Sequence, residues 1–144
     1  MGSYREMLFD ETLATGVDEI DSQHRNLINL ANEAAAALHQ GVTATQLRHL
    51  VRELLAYAIY HFRTEEALMK EYAYDVEAAA DATNHIARHR AFADKIATMQ
   101  QALQNREHID FDQLINFLYD WIAHHIMDTD RQLAGFILTK RSQR

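Results

Sequence analysis

The sequence predicts an all-α protein: an up-down-up-down four-helix bundle with an N-terminal arm and a short C-terminal helix. Three observations lead to it. None of the 144 residues is proline and only four are glycine, so almost nothing in the chain interrupts a helix. Four stretches carry apolar residues at steps of three and four, the mark of a helix with one buried face. The breaks between them are short, which makes successive helices antiparallel neighbours. A chain of this length is expected to form a single domain, 1–144, with a core that needs no covalent staples.

Residues 1–17 show no sustained stripe and read as an extended arm ending near Gly16. The first helix is expected from Asp18 to His39, with the face Ile20, Leu27, Ile28, Ala31, Ala35 and Leu38 and with Gly41 as its stop. Thr43-Ala44-Thr45-Gln46 has the form of a capping box. It opens a second helix lasting to about Tyr72, whose face is Leu47, Leu50, Val51, Leu54, Ala58, Leu68 and Tyr72. Residues 73–80 are ambiguous, because Asp75 is a candidate cap but the alanine-rich stretch after it has no clear face. The third helix reaches about Asn105, with Ala82, Phe92, Ile96, Met99 and Leu103 inward. Asp110 caps a fourth, to about Ile126, with the face Phe111, Leu114, Ile115, Leu118, Trp121 and Ile122. A short helix from Asp130 to Lys140 and a tail complete the segment 130–144.

Composition excludes several functions. The absence of cysteine rules out disulfides and thiolate ligands, so any metal must be held by nitrogen and oxygen. Charge breaks every apolar stretch before signal-peptide or membrane length, and the expected location is the cytoplasm, with no membrane partner. A net charge of −7 argues against a nucleic-acid surface. The basic end, Lys140-Arg141-Ser142-Gln143-Arg144, reads as an exposed, frayed terminus.

The chemistry lies in five histidines and two carboxylates. His24 falls in register with the first apolar face, His61 and Glu65 with the second, and His85 and His89 with the third. In each of the two local pairs a spacing of four puts both side chains on one side of the helix, one turn apart. On the fourth helix the next core position after Ile122 is His125. His124 and Asp128, four apart, look like a better local pair, but the apolar stripe selects His125. Asp130 then reaches the same place only if the helix ends, or widens into a π-type turn, between the two. His39, His49, His108 and His124 fall off the stripes and read as surface residues. Phe62, Tyr57, Met69 and Trp121 read as packing, and Glu66, Lys70 and Glu71 as a solvated face.

A lone inward histidine is ordinarily a satisfied core residue. Five on four core faces, beside an inward glutamate, need a common purpose, because each unpartnered buried polar group is costly. The inventory suits a two-metal site.

These residues resemble the bacterial hemerythrins. The resemblance is carried by Gly16-Val17 to Ile20-Asp21-Ser22-Gln23-His24, His61-Phe62-Arg63-Thr64-Glu65-Glu66 with Met69, His85 to His89, and Trp121-Ile122-Ala123-His124-His125-Ile126 to Asp130. These runs stand in the family's order and span nearly the whole chain. Three features depart from it: Phe9 stands where many members have tryptophan, the stretch between Tyr74 and His85 is longer by about five residues, and no proline follows Tyr74. The resemblance implies a non-haem di-iron centre, with His85, His89 and His125 on one iron, His24 and His61 on the other, and Glu65, Asp130 and an oxo or hydroxo group bridging. It implies dioxygen as the ligand, at an open position on the two-histidine iron, beside the apolar Ile122 and Ile126. The implied role is non-enzymatic: oxygen sensing, or storage and delivery, with a signalling output domain as a partner if the chain is part of a longer protein. The rival class is the di-iron oxidase or ferroxidase of ferritin-like bundles, whose sites are rich in glutamate and use Glu-x-x-His pairs. That pattern does not occur in this sequence. A third class, a metal-free interaction bundle, leaves the inward Glu65 unexplained.

Overall fold

A computed structural model describes residues 7–107 and 109–143. The first six residues of the arm, His108 and Arg144 lie outside the described residues, and so does the side chain of Phe111. Among the described residues six α-helices form: α1 (Asp18–Gln40), α2 (Ala44–Glu71), α3 (Tyr74–Glu77), α4 (Ala79–Gln104), α5 (Phe111–His125) and α6 (Arg131–Ser142). A π-helical turn, Ile126–Asp130, joins α5 to α6. The four long helices make the bundle: α1 packs on α2 and α5, and α2 packs on α4.

Local chemistry explains most boundaries. At the start of α1, Asp18, Glu19 and Asp21 place negative charge at the positive end of the helix dipole. Gly41, at φ 86°, ends that helix in a backbone conformation that side-chain-bearing residues resist. Thr43 and Gln46 form the full capping box of α2, and the Asp110 side chain accepts from the Gln113 N–H at the head of α5. The third helix starts differently from the expectation. Asp75 caps nothing; it lies inside the one-turn α3, and α4 begins after a break at Ala78 without a side-chain cap. The extra residues before His85 are therefore taken up by that turn and break, entered through a left-handed Ala73 at φ 60°.

The C-terminal end also differs. The fourth helix ends at His125, close to the expected Ile126, and passes through the π turn into the last helix, which does not stop at Lys140 but runs to Ser142. Nor is the basic end frayed as far as Arg141. Arg141 bonds Glu19 at 2.8 Å and the Tyr72 hydroxyl at 2.9 Å, and Lys140 pairs with Glu77 at 2.7 Å. The described part of the arm is likewise fastened: Asn32 exchanges two hydrogen bonds with the Met7 backbone, and Asp21 accepts from Thr15 and Gly16. Among the described residues no helix is long and apolar enough to cross a membrane.

Two apolar clusters form the core. The larger contains Leu27, Ala58, Phe62, Phe92, Ile122 and Ile126, and the smaller Ile20, Leu68, Met69, Ala82, Leu133 and Ile137. In sequence, every long helix passes from one cluster to the other through a histidine or a carboxylate: His24 between Ile20 and Leu27, Glu65 between Phe62 and Leu68, His85 and His89 between Ala82 and Phe92, Asp130 between Ile126 and Leu133.

Candidate metal centre

The six residues singled out by register and Asp130 meet in one buried layer. Glu65, Asp130 and His24 have no exposed surface, and His61, His85, His89 and His125 are at most 3 % exposed. His39, His49 and His124 are exposed, as their place off the stripes requires. The π turn is what admits Asp130. In a continuous α-helix it would point about 140° away from His125; here its Oδ1 lies 2.9 Å from His125 Nε2.

Asp130 and Glu65 each face histidines from several helices. Asp130 Oδ2 lies 2.7 Å from His24 Nε2, and Oδ1 lies 2.8 Å from His85 Nε2. Glu65 Oε1 lies 3.0 Å from His61 Nε2 and 3.2 Å from His89 Nε2. The donors fall into two overlapping groups: Glu65, His85, His89, His125 and Asp130, and His24, His61, Glu65 and Asp130.

The tautomers of three rings follow from their outer partners. Thr129 Oγ1 donates to the His125 carbonyl at 3.0 Å, so at 2.9 Å it accepts from His125 Nδ1–H. Thr64 Oγ1 donates to the Tyr60 carbonyl and accepts from Gln23 Nε2, which turns the Gln23 amide oxygen toward His61 Nδ1 at 2.7 Å. Glu66 Oε2, a carboxylate oxygen, accepts from His89 Nδ1 at 3.2 Å. With Nδ1 protonated in each neutral ring, the Nε2 lone pairs point inward. His89 and His125 therefore face each other at 3.1 Å with lone pair against lone pair.

Such an arrangement fits a cation. Unless a proton or a cation lies between them, the inward nitrogens of His24, His61 and His85 and the oxygens of Glu65 and Asp130 are buried acceptors facing one another. Leaving several such groups unpartnered costs several kcal/mol. Metal–ligand bonds of about 2.1 Å in octahedral geometry place neighbouring donors about 3.0 Å apart. Most of the inward spacings, 2.7–3.2 Å, are of that size.

The charges of the layer's own side chains shift its protons. Burial disfavours charge on His85, but Asp130 and Glu65 beside it prevail and lift its pKa to about 9. His61 is also raised, because Glu65 outweighs burial. His125 is lowered by burial. Both carboxylates sit below their ordinary range: burial would raise Glu65 and the imidazoles of His61, His85 and His89 reverse it, while burial and the Glu65 charge on Asp130 are outweighed by His125 and His24.

Some neighbours were not visible as site residues in the sequence. Phe62 stacks on His89 at 3.9 Å and 11°, and Trp121 on His125 at 4.3 Å and 13°, so both pack, but against the histidine rings themselves. Glu66 is not purely a solvated residue, since it reaches His89 across the helix interface. The Thr129 contact had a signal, a hydroxyl four residues after His125 on the same helical side. Ile122 and Ile126 flank His125 in sequence, and both are buried in the larger apolar cluster.

A four-helix bundle with a buried layer of imidazoles and carboxylates can hold a metal ion. Residues 15–137 match the hemerythrin HHE cation binding domain. The chain is 31 % identical to a bacteriohemerythrin of Stenotrophomonas maltophilia (strain R551-3) over 140 residues, 95 % of this chain and 85 % of that one. It is 28 % identical to a bacteriohemerythrin of Clostridium acetobutylicum over 126 residues, 81 % of this chain and 90 % of the relative. A crystal structure of a hemerythrin mutant, 23 % identical, shares the fold with a TM-score of 0.82 over 91 % of this chain and 96 % of that one. The chain belongs to the hemerythrin family.

Proposed function

We propose that the protein binds dioxygen reversibly at a non-haem di-iron centre and serves in oxygen sensing or in oxygen storage and delivery. His85, His89 and His125 would hold one iron and His24 and His61 the other, with Glu65 and Asp130 offering oxygens to both. The reading rests on the division of the seven donors into two overlapping groups that share both carboxylates. Imidazole-rich, carboxylate-poor coordination suits iron that must return to the ferrous state. When bound, the two ferrous ions supply the two electrons that dioxygen takes up and gives back. The chain's own residues do the rest. Glu65 and Asp130 balance part of the cationic charge in a dry core, and Gln23, Glu66 and Thr129 hold three imidazoles by Nδ1 so that Nε2 faces inward.

The measurement that tests this is metal analysis with an absorption spectrum. Protein produced with iron should hold about two iron ions per chain. In air it should show ligand-to-iron charge-transfer bands in the near ultraviolet and visible that fade on reduction. One metal per chain, or zinc without such bands, overturns the reading. Repeated turnover of dioxygen with added ferrous iron would move the protein to the oxidase class.

Ile122 and Ile126 would keep water and protons out of the space beside the metal centre. Both are at most 1 % exposed. Ile126→Ala should open a cavity, at about 2–4 kcal/mol of stability, and admit water. The expected result is faster conversion of the oxygenated to the ferric protein at unchanged iron content. Equal rates in the variant and the parent would remove these residues from the dioxygen pocket.

A further inference from the structure

The two metal positions differ in how firmly the protein holds their histidines before any metal arrives. On the three-histidine side, His89 is fixed on its face by Phe62 at 3.9 Å and at its edge by Glu66, and His125 on its face by Trp121 and at its edge by Thr129. On the two-histidine side only His61 has an outer partner, Gln23, and the rings of His24 and His61 meet edge to face at 4.6 Å. His24 Nδ1 here, like His85 Nδ1 on the other side, has no partner among the described residues, so two of three rings are held at the edge on one side and one of two on the other. The partners also differ in charge. Gln23 and Thr129 are neutral, whereas Glu66 is a carboxylate whose side chain is 36 % exposed. It touches the layer from outside without being one of the inward-facing donors.

We infer that Glu66 is a positioning residue that makes the three-histidine position the tighter of the two, so that the centre assembles in order: the Glu65, His85, His89, His125, Asp130 group fills first and the His24, His61 side second. This rests on the two-metal reading above. Two physical effects give the order. A ring already held in its liganding orientation loses less freedom when metal binds. A carboxylate accepting from Nδ1–H raises the electron density at Nε2 and strengthens the bond it makes. The first-filled position has five donors, against four for the other, and both carboxylates belong to each group. Metal in the first position thus fixes Glu65 and Asp130 for the second.

The experiment is an anaerobic titration of metal-free protein with cobalt(II), followed by visible absorption and calorimetry. The parent should take up two cobalt ions per chain in two resolved steps. Glu66→Gln keeps the shape and removes the charge. It should weaken the first step by about 10–100-fold, drawing the two steps together. Glu66→Ala should weaken it at least as much. Metal-free melting should change little in either variant, since the site of substitution is half-exposed, and this separates positioning from general packing. An unchanged first step in Glu66→Gln overturns the inference while leaving the two-metal reading intact. Failure of the parent to bind two ions overturns that reading itself.

Discussion

Asp130→Ala should cost both metals, whereas Asp128→Ala, two residues away, should leave metal content unchanged. Asp130 is fully buried and lies within 2.9 Å of Nε2 of His24, His85 and His125, so both donor groups lose a member together. Asp128 is exposed. The same contrast applies to His125 and His124, of which only the first is buried. Metal analysis of the four alanine variants, each grown with iron, is the check. Full iron content in Asp130→Ala would exclude it as a bridge, and loss in Asp128→Ala or His124→Ala would mean that the register of this end is shifted.

Removing the metal should turn a stable bundle into one whose stability falls with rising pH. In the metal-free layer His85 is protonated at neutral pH, its pKa raised to about 9 by Asp130 and Glu65 despite burial. A raised pKa contributes stability that is complete below the unfolded value of about 6.5 and is lost as pH climbs through the folded value. The loss therefore falls between pH 7 and 9, and His61, also raised, adds to it. The lowered His125 acts in the opposite sense, below that window. The shift on His85 corresponds to roughly 3 kcal/mol, or roughly 5–12 °C of melting temperature for a chain of this size. Bound metal displaces that proton, so loading at pH 7 should release protons, and the loaded protein should not share the decline. At a thousandfold excess of free metal over Kd each site adds about 4 kcal/mol. Melting curves of chelator-stripped and reloaded protein at pH 7, 8 and 9 test both parts. A stripped protein whose melting temperature holds or rises over that range would contradict the assigned protonation of His85.

Much of the bundle could be read from the chain because its signals are local. Thr43 with Gln46, Asp110, and Gly41 act within one helical turn of their own position, and the apolar stripes repeat over many turns. The same stripes brought His24, His61, Glu65, His85, His89 and His125 into one layer, because inward direction on four helices of a narrow bundle leads to a common axis. What escaped the sequence depends on contacts between distant segments or on backbone geometry without a residue signature. Nothing about Ala73 announces a left-handed φ of 60°, and the alanines around Ala78 favour helix on both sides of the break, so Asp75 looked like a cap. Glu66 lies one position off the stripe, where solvent is the ordinary neighbour; only the approach of α4 brings His89 Nδ1 to it. Gln23 adjoins His24 but serves His61, a pairing across 38 residues. The basic end looked loose because its anchors, Glu19 and Tyr72, lie far upstream.

The π turn at Ile126–Asp130 amounts to one residue more than an α-helix needs over that span. Deleting one residue there would let α5 and α6 fuse into regular helix and would rotate everything beyond it by about 100°. Asp130 would swing off the metal layer, and Leu133, Ala134 and Ile137 would leave the smaller apolar cluster in the same motion. A proposed ligand and three of that cluster's ten buried residues are thus phased by a single insertion. In descent, such a chain cannot discard the irregular turn to gain a better helix without losing Asp130 from the layer and three residues from its core in one step, which makes the irregularity self-preserving.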